Sequence, residues 1–271
     1  MKIIVVCLLS IFGLFACGGS NSNSGNHQDN VPVNTVPDNN VNEISSELAI
    51  PNNQNVDSYK ILFYGNSHIT HLSAPLGMMF QQGKPDKQVM ISSSLSLQYL
   101  AERLENDADV ARLTGENWTH VIFQAQKYSQ SGSFKYPTIA AETWVKKAKA
   151  QNATPIMFPE HPQRGRVKEA RMVHYIHLTI ATNEASCVAP VGLAWDLALS
   201  LKPDLAMHDA DGNHASALGK VLTAMVFYQV ITGESADLLP YIAGLSADQE
   251  TQDFFGQVAS QAIQENIACD F

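Results

Sequence analysis

The feature that most constrains the fold is an alternation, after residue 58, of short apolar runs with longer segments of helical spacing. The apolar runs predict buried strands at residues 60–65, 89–91, 118–123, 154–158 and 187–190. Helical spacing occupies residues 95–106, 138–151, 167–184, 192–200, 215–232 and 247–267. Because strands that alternate with helices form a mainly parallel sheet with helices on both faces, the sequence predicts an α/β fold.

The amino terminus has a different character. After Lys2, residues 3–15 are apolar except for Ser10 and Gly13. Such a stretch is too short for a permanent membrane helix, so residues 1–16 are predicted to be a signal peptide. Residues 14–17 read LFAC and resemble the lipobox of bacterial lipoprotein precursors. The resemblance implies that Cys17 is acylated and anchors the chain in a membrane; an ordinary secretory signal is the alternative.

Gly18, which follows that cysteine, resembles the outer-membrane sorting pattern of Gram-negative bacteria, and we therefore expect a lipid-anchored location in the cell envelope. Residues 17–57 are rich in Asn, Ser, Gly and Pro and predict a flexible linker. Residues 58–271 are enough for one sizeable α/β domain and too few for two.

Composition limits the partners. The formal net charge is −9, which gives no electrostatic attraction for phosphate backbones, so nucleic acid is not an expected partner. The charge does not identify a substrate. Cys187 and Cys269 would lie in an oxidising compartment, where a disulfide persists, but a free core thiol at Cys187 is nearly as well supported.

Two short motifs carry candidate chemistry. Residues 65–68 read GNSH and follow the first predicted strand, which places Ser67 at the carboxyl edge of the sheet. Asp211 and His214 stand three residues apart just before a long apolar segment. A serine hydroxyl needs a histidine to accept its proton and a carboxylate to orient that histidine. Each motif alone is weak, since the first is also typical of a turn or helix cap and the second of a cap with a surface histidine.

Together, G-x-S after the first strand and D-x-x-H near the domain end resemble the SGNH/GDSL hydrolase family over roughly residues 59–235. The usual first block of that family is Gly-Asp-Ser, whereas this chain has Gly-Asn-Ser. The resemblance implies a flavodoxin-like three-layer α/β/α sandwich with strand order 2-1-3-4-5. It also implies that Ser67, Asp211 and His214 form a catalytic triad that needs no metal and no cofactor.

The middle blocks depart from the family pattern, which supplies a Gly and an Asn as further oxyanion donors. Here the second block has no Gly, so a backbone N–H of Ser93 or Ser94 is the candidate, and we predict Ser94. In the third block Gln126 matches the position of the Asn and offers the same NH₂ donors. We therefore expect Ser67, Ser94 and Gln126 to form the oxyanion hole, with a degraded hole as the alternative.

Other polar residues are weaker candidates. Glu160 and His161 follow the fourth predicted strand and shape either a substrate pocket or a surface loop. His174 and His177 are spaced as a metal pair, but a partly exposed helix face is the better interpretation. Asp196 is an alternative triad acid if Asp211 points away.

Three functions follow in order of support. The first is hydrolysis of an ester, with O-acetyl groups of a glycan as the favoured substrate by family analogy and location. The second is a non-catalytic domain of the same fold that binds a glycan or a protein. The third is a metal-dependent hydrolase that uses the histidines.

Overall fold

The computed structural model describes residues 49–271 and contains a five-stranded sheet in the order β2-β1-β3-β4-β5. Every pair of neighbouring strands is parallel. This confirms the predicted α/β class and the strand order that the resemblance implied. The strands are β1 Ser58–Gly65, β2 Gln88–Leu95, β3 His120–Phe123, β4 Thr154–Met157 and β5 Cys187–Val188.

Within residues 49–271, eight α-helices and two short 3₁₀ helices surround this sheet. The α-helices are α1 Ser73–Gly83, α2 Leu100–Leu104, α3 Asp107–Thr114, α4 Ile139–Ala150, α5 Glu169–Asn183, α6 Val191–Leu201, α7 Ala217–Thr232 and α8 Gln249–Glu265. The 3₁₀ helices are Ser67–Ile69 and Ala236–Leu238. The predicted helices from residue 138 onward all form, with ends shifted by one or two residues.

The largest departure from the sequence prediction follows β1. Strand β2 continues to Leu95, through the start of the predicted helix 95–106. Of that predicted helix only Leu100–Leu104 forms. A second helix, Asp107–Thr114, begins beyond it, because Asn106 leaves the helical conformation and its side chain accepts a hydrogen bond from the Ala108 N–H. Asn favours this capping role over a helix interior. Helix α1 was not predicted from the sequence.

The two faces of the sheet bury separate cores. Ile61 and Phe63 of β1 point into one core, whereas the alternate residues Leu62 and Tyr64 point into the other. This alternation is the period of a strand, and both faces are apolar because helices cover both. Helix α7 lies in the first core and is apolar nearly all round, as expected of a helix that is buried on most sides.

Both ends of the described chain pack on the domain. Cys187 and Cys269 form a disulfide, so the open question about these residues is answered in favour of pairing. At the other end, the Tyr59 hydroxyl donates to the Gln54 carbonyl, and Asn53 donates to the Thr154 hydroxyl. Residues 49–57 therefore belong to the folded body, whereas the sequence had assigned them to the linker.

None of the helices in residues 49–271 has the length and apolar character needed to cross a membrane. The predicted signal peptide, the acylated Cys17 and the greater part of the predicted linker lie outside the described residues. Those predictions stay as they were made.

Candidate active site

Ser67 is positioned by a sharp turn at the carboxyl end of β1. The strand ends at Gly65, and Ser67 begins the 3₁₀ helix, whose cap is Asn66. A Cβ on Gly65 would lie 2.5 Å from the Ile69 side chain and 2.6 Å from the amide oxygen of Gln124. Only glycine therefore allows the chain to turn this tightly against its neighbours.

The structure brings the three predicted triad residues into one hydrogen-bonded chain. The Ser67 hydroxyl lies 2.7 Å from His214 Nε2, and His214 Nδ1 lies 2.5 Å from Asp211 Oδ2. These contacts join residues 147 positions apart in sequence. The order serine, imidazole, carboxylate is the one that general-base activation of a hydroxyl requires.

Asp211 is fixed by its own loop. Its Oδ1 accepts hydrogen bonds from the backbone N–H groups of Asn213 and His214, at 2.9 and 3.0 Å. The bond from the His214 N–H, the bond from the His214 side chain and the bond from the Asn213 N–H hold the pKa of Asp211 well below its usual value. The carboxylate is thus ionised at neutral pH, although its side chain is 49% exposed.

A buried imidazole supports the loop that carries His214. The His161 ring stacks on Trp195 with centroids 4.0 Å apart, and its Nε2 lies 3.0 Å from the Asn213 carbonyl oxygen. Because that oxygen can only accept, His161 Nε2 carries the hydrogen. Burial, reinforced by the nearby His68, lowers the pKa of His161 well below its usual value, so the ring is neutral.

Two more histidines complete this side of the site. The His68 ring lies 5.3 Å from His214 and 5.1 Å from His161, measured between centroids. His208 Nε2 lies 2.8 Å from the Pro162 carbonyl oxygen, which joins the loop after β4 to the loop before His214. The loop that carries His214, the histidine loop, is therefore held by imidazole contacts and by Arg164, whose guanidinium donates to the His208 and Asp209 carbonyls at 3.2 and 2.7 Å.

A buried ion pair supports the other loop. Arg103 is fully buried and makes two hydrogen bonds to the Asp109 carboxylate, at 2.9 and 3.2 Å. Its guanidinium also donates to the Gly65 carbonyl at 3.1 Å, two residues before Ser67. Its charge lies 4.9 Å from the centre of the Tyr64 ring. Arg103 thus connects the end of β1 to helices α2 and α3.

The loop after β3, which contains Gln124 and Gln126, differs from its prediction in the contacts of both side chains. The Gln126 amide nitrogen donates to the backbone carbonyls of Lys127 and Pro137, at 3.0 and 3.2 Å. In this conformation Gln126 does not supply an oxyanion donor. Gln124 instead contacts the nucleophile loop, because its side-chain oxygen accepts from the Asn66 N–H at 2.8 Å and its nitrogen donates to Glu160.

The Gln124 and Gln126 side chains have different surroundings because the strand alternation breaks between them. Ala125 has φ of +76°, a left-handed conformation that residues other than Gly, Asn and Asp seldom adopt. Residues 124 and 126 would share one side of a continuing strand, but the turn at Ala125 separates them. The Gln126 amide therefore points to two backbone carbonyls in this structure, and its role as an oxyanion donor stays a prediction.

Ser94 is also placed differently from the prediction. It lies inside β2, opposite Tyr64, rather than in a loop beyond the strand. Its hydroxyl accepts from Arg103 at 2.6 Å and donates to Asp109 at 3.0 Å. The side chain of Ser94 therefore belongs to the buried network that holds Gly65, and donation by its backbone N–H to an oxyanion stays a prediction.

The structure also places the weaker candidates. Glu160 and His161 are part of the site and not a surface loop. His174 and His177 are 6% and 2% exposed, so they face the interior and not a partly exposed surface.

Asp196 is not the carboxylate next to His214, because Asp211 occupies that position. Burial raises the pKa of Asp196 to about 6. In residues 49–271, no group of three or more His, Cys, Asp or Glu side chains is arranged to hold a metal ion.

Sequence reasoning did not identify Gln124, Arg103, Asp109 or Trp195 as parts of the site. Arg103 and Asp109 carry no motif, and their pairing across a helix break is a tertiary fact. The aromatic neighbours of His161 could have been suspected only from its place after the fourth strand, where parallel sheets form sites.

Fold and site together define a parallel α/β protein with a Ser-His-Asp hydrogen-bonded chain at the carboxyl edge of its sheet. No family model and no curated protein matches the sequence. Among solved structures, a DUF4886 family protein from Bacteroides uniformis is similar with a TM-score of 0.65 at 15% identity, covering 79% of this chain and 98% of that one.

A catalytic mutant of Axe2, an acetylxylan esterase from Geobacillus stearothermophilus, is similar with a TM-score of 0.53 at 14% identity. This likeness covers 66% of the present chain and 97% of the esterase. At such identities both likenesses show a shared fold.

Proposed function

We propose that this protein is an SGNH-type serine esterase that works through a Ser67 acyl-enzyme. The observation that carries the proposal is the chain from the Ser67 hydroxyl to His214 Nε2 at 2.7 Å and from His214 Nδ1 to Asp211 Oδ2 at 2.5 Å. Residues from two distant segments meet in the one arrangement that turns a hydroxyl into a nucleophile.

In the proposed acylation, Ser67 Oγ attacks the ester carbonyl carbon while His214 Nε2 accepts the hydroxyl proton. The tetrahedral intermediate collapses with cleavage of the bond to the alcohol oxygen, which takes the proton from His214. Asp211 stabilises the imidazolium formed in between, and its hydrogen-bonded carboxylate is ionised for that task.

Deacylation repeats these steps with water. His214 Nε2 accepts a proton from the water whose oxygen attacks the acyl carbon, and it returns that proton to Ser67 Oγ when the acid departs. The net reaction is ester plus water giving acid plus alcohol, without oxidation or reduction. No step of this mechanism uses a metal or cofactor.

The oxyanion needs donors, and we assign the first to the Ser67 N–H. In the described part of the chain this group, at the start of the 3₁₀ helix, donates to no protein acceptor. Gln124 fixes the loop that carries Ser67 in this proposal, because its side-chain oxygen accepts from the Asn66 N–H. The Ser94 backbone N–H stays in the proposal as a further donor.

For the substrate we propose an O-acetylated glycan. The supporting facts are a fold shared with a protein that is itself an acetylxylan esterase and an amino terminus that resembles a lipoprotein precursor. With Cys17 acylated, the domain would be held at the cell envelope, where it meets polysaccharide. We propose the Gram-negative outer membrane as that location, from Gly18 after the cysteine.

A second candidate function is a non-catalytic surface domain that binds a glycan or a protein. The observation in its favour is Gln126, whose amide is directed to two carbonyls and so leaves the third-block donor missing. Loss of one oxyanion donor typically lowers the rate by on the order of 10²–10³ without abolishing catalysis. The intact triad geometry therefore favours the esterase.

The test compares the wild-type protein with Ser67→Ala, and with Ser246→Ala as a matched variant at an exposed serine of another loop. Each protein is treated with a fluorophosphonate and, separately, with p-nitrophenyl acetate, and the labelled residue is identified by mass spectrometry. We expect labelling at Ser67 and turnover in wild type and Ser246→Ala only. Equal rates and no label in all three folded proteins would favour the binding domain.

A further inference from the structure

A groove of about 990 Å³ lies between the loop that follows β3 and the first three turns of α5. Aromatic rings and aliphatic side chains make up most of its walls. They belong to Tyr128, Phe134, Tyr136, Val167, Met172, Tyr175 and Ile176. Phe134, Val167 and Tyr175 are 60%, 81% and 70% exposed, an uncommon concentration of exposed apolar surface.

The same groove carries four cations, Lys127, Lys135, Lys168 and Arg171. In the described residues none of these four forms an ion pair, and no Asp or Glu lines the groove beside them. Nearby carboxylates lie outside the lining, and Arg171 is close enough to Asp196 to attract its carboxylate electrostatically. In a chain of net charge −9, a groove whose charged lining residues are all cations favours an anionic ligand.

A single series of contacts connects the groove to the candidate active site. Tyr128, whose ring lines the groove, lies next to Glu160, which accepts a hydrogen bond from Gln124. Gln124 in turn holds the Asn66 N–H, one residue before Ser67. The groove is therefore the neighbouring surface on which the remainder of a large substrate would lie.

We propose that this groove binds an acidic, uronate-bearing polysaccharide, the chain whose acetyl esters Ser67 would hydrolyse. This inference rests on the proposed esterase function. The volume is at the upper end of the roughly 300–1,000 Å³ of ligand sites and far exceeds what an acetyl group needs. A pyranose ring presents an apolar C–H face to an aromatic ring, and its carboxylate suits a lysine or arginine.

The shape favours a chain over a bilayer. Exposed aromatic rings next to lysines are also typical of surfaces that bind anionic lipid. However, this surface is concave, and Lys127 lies inside it between the rings of Tyr99 and Tyr136, at 5.2 and 4.8 Å from their centres. A single polymer strand can enter such a groove, whereas a flat lipid surface would contact only its rim.

The test measures binding in the Ser67→Ala protein, so that turnover cannot interfere. Isothermal titration with polygalacturonate is compared with the neutral polymer dextran. We expect binding to polygalacturonate only, weakened at least about tenfold by Lys135→Gln/Arg171→Gln and weakened by added salt. The matched control is Arg112→Gln/Lys146→Gln, two exposed cations outside the groove, which should bind as the parent does.

Three results would overturn the proposal. They are equal affinity for dextran, no effect of the groove variant, or binding of phosphatidylglycerol vesicles that the groove variant abolishes while polygalacturonate does not compete. In the wild-type background both double variants should hydrolyse p-nitrophenyl acetate at the parent rate. If the Ser67→Ala protein binds polygalacturonate but the wild type hydrolyses no ester, the esterase proposal is refuted and the groove proposal stands. If the wild type hydrolyses p-nitrophenyl acetate but polygalacturonate does not bind, the groove proposal is refuted and the esterase proposal stands.

Discussion

The two loops that meet at the candidate triad are held in different ways. The loop with Ser67 is fastened from behind by the buried Arg103 guanidinium on the Gly65 carbonyl and by Gln124 on the Asn66 N–H. The loop with His214 is fastened by the neutral ring of His161 on the Asn213 carbonyl. One anchor contains a buried ion pair, and the other contains an imidazole that can gain a proton.

The difference between the two anchors fits the role that each loop has in the proposed reaction. The serine loop holds its side chain at one position, and a buried ion pair that is fully hydrogen-bonded gives strong geometric constraint. In the proposed reaction the histidine loop carries the group that takes up and releases a proton, and its Asp211 and His214 side chains stay 49% and 35% exposed. We infer that the first anchor sets the stability of the site and the second its response to pH.

The largest expected effect is on catalysis at the histidine loop. Asp211→Asn should lower kcat for p-nitrophenyl acetate about 10⁴-fold, because an amide no longer selects the productive tautomer of His214. The free energy of unfolding should change little, since Asn can still accept the two backbone N–H bonds. Steady-state kinetics with urea unfolding measure both quantities.

The control for that variant is Asp209→Asn, an exposed carboxylate of the same loop whose backbone alone contacts His214. Its kcat should stay near that of the parent protein. A comparable loss in both variants would mean that the general charge of the loop, and not the Asp211–His214 contact, supports the reaction.

The second effect is on stability at the serine loop. Arg103→Met leaves the Asp109 carboxylate buried without its partner and should cost about 3–5 kcal/mol in the free energy of unfolding. The double variant Arg103→Met/Asp109→Leu should regain most of this loss, because the unpaired charge is gone. Urea denaturation followed by circular dichroism measures it.

The exposed pair Lys202–Glu250 is the matched control. Lys202→Met should cost less than about 1 kcal/mol, as is usual for a surface ion pair. If Arg103→Met were as mild as Lys202→Met, the buried pair would not be the anchor of the serine loop.

A third comparison separates the two glutamines. Gln124→Leu leaves the partly buried Asn66 N–H without its acceptor, a defect that should cost about 1 kcal/mol in the free energy of unfolding, and should lower kcat by about tenfold or more. Gln126→Leu should leave kcat within about twofold while affecting only the loop beyond β3. The opposite ranking would restore Gln126 as the oxyanion donor.

The smallest expected effect is a pH dependence of stability. The folded-state pKa of His161 lies well below the ordinary 6.5, so below that pH the unfolded chain binds more protons and the protein loses stability as pH falls. His120, His174 and His177 act in the same direction, since burial lowers their pKa values to about 3, about 4 and about 4.

Urea unfolding between pH 7 and pH 5 should therefore show a falling free energy, and His161→Phe should flatten it by at most about 1.4 kcal/mol per pH unit. Phe retains a ring against Trp195 but cannot titrate. Substitution of the exposed His71 by Asn should leave the slope unchanged. A slope equal to the parent's in His161→Phe would show that this ring does not make the histidine loop sensitive to pH.

The amino-acid sequence determined the fold class and the three side chains of the Ser67–His214–Asp211 hydrogen-bonded chain. Short apolar runs that alternate with helical spacing permit little besides a parallel sheet covered on both faces, and G-x-S with D-x-x-H are local motifs whose loops such a sheet brings to one edge. The start of the predicted helix 95–106 was wrong because a short apolar stretch fits both the end of a strand and the start of a helix.

Only the tertiary structure decided how the site is supported. The choice between Gln124 and Gln126 depends on the left-handed conformation of Ala125, which no local preference of alanine would favour. The Arg103 anchor, the stack of His161 on Trp195 and the cationic groove bring together residues whose positions along the chain carry no common pattern. Such contacts are fixed by packing, which depends on the whole fold, and not by local spacing.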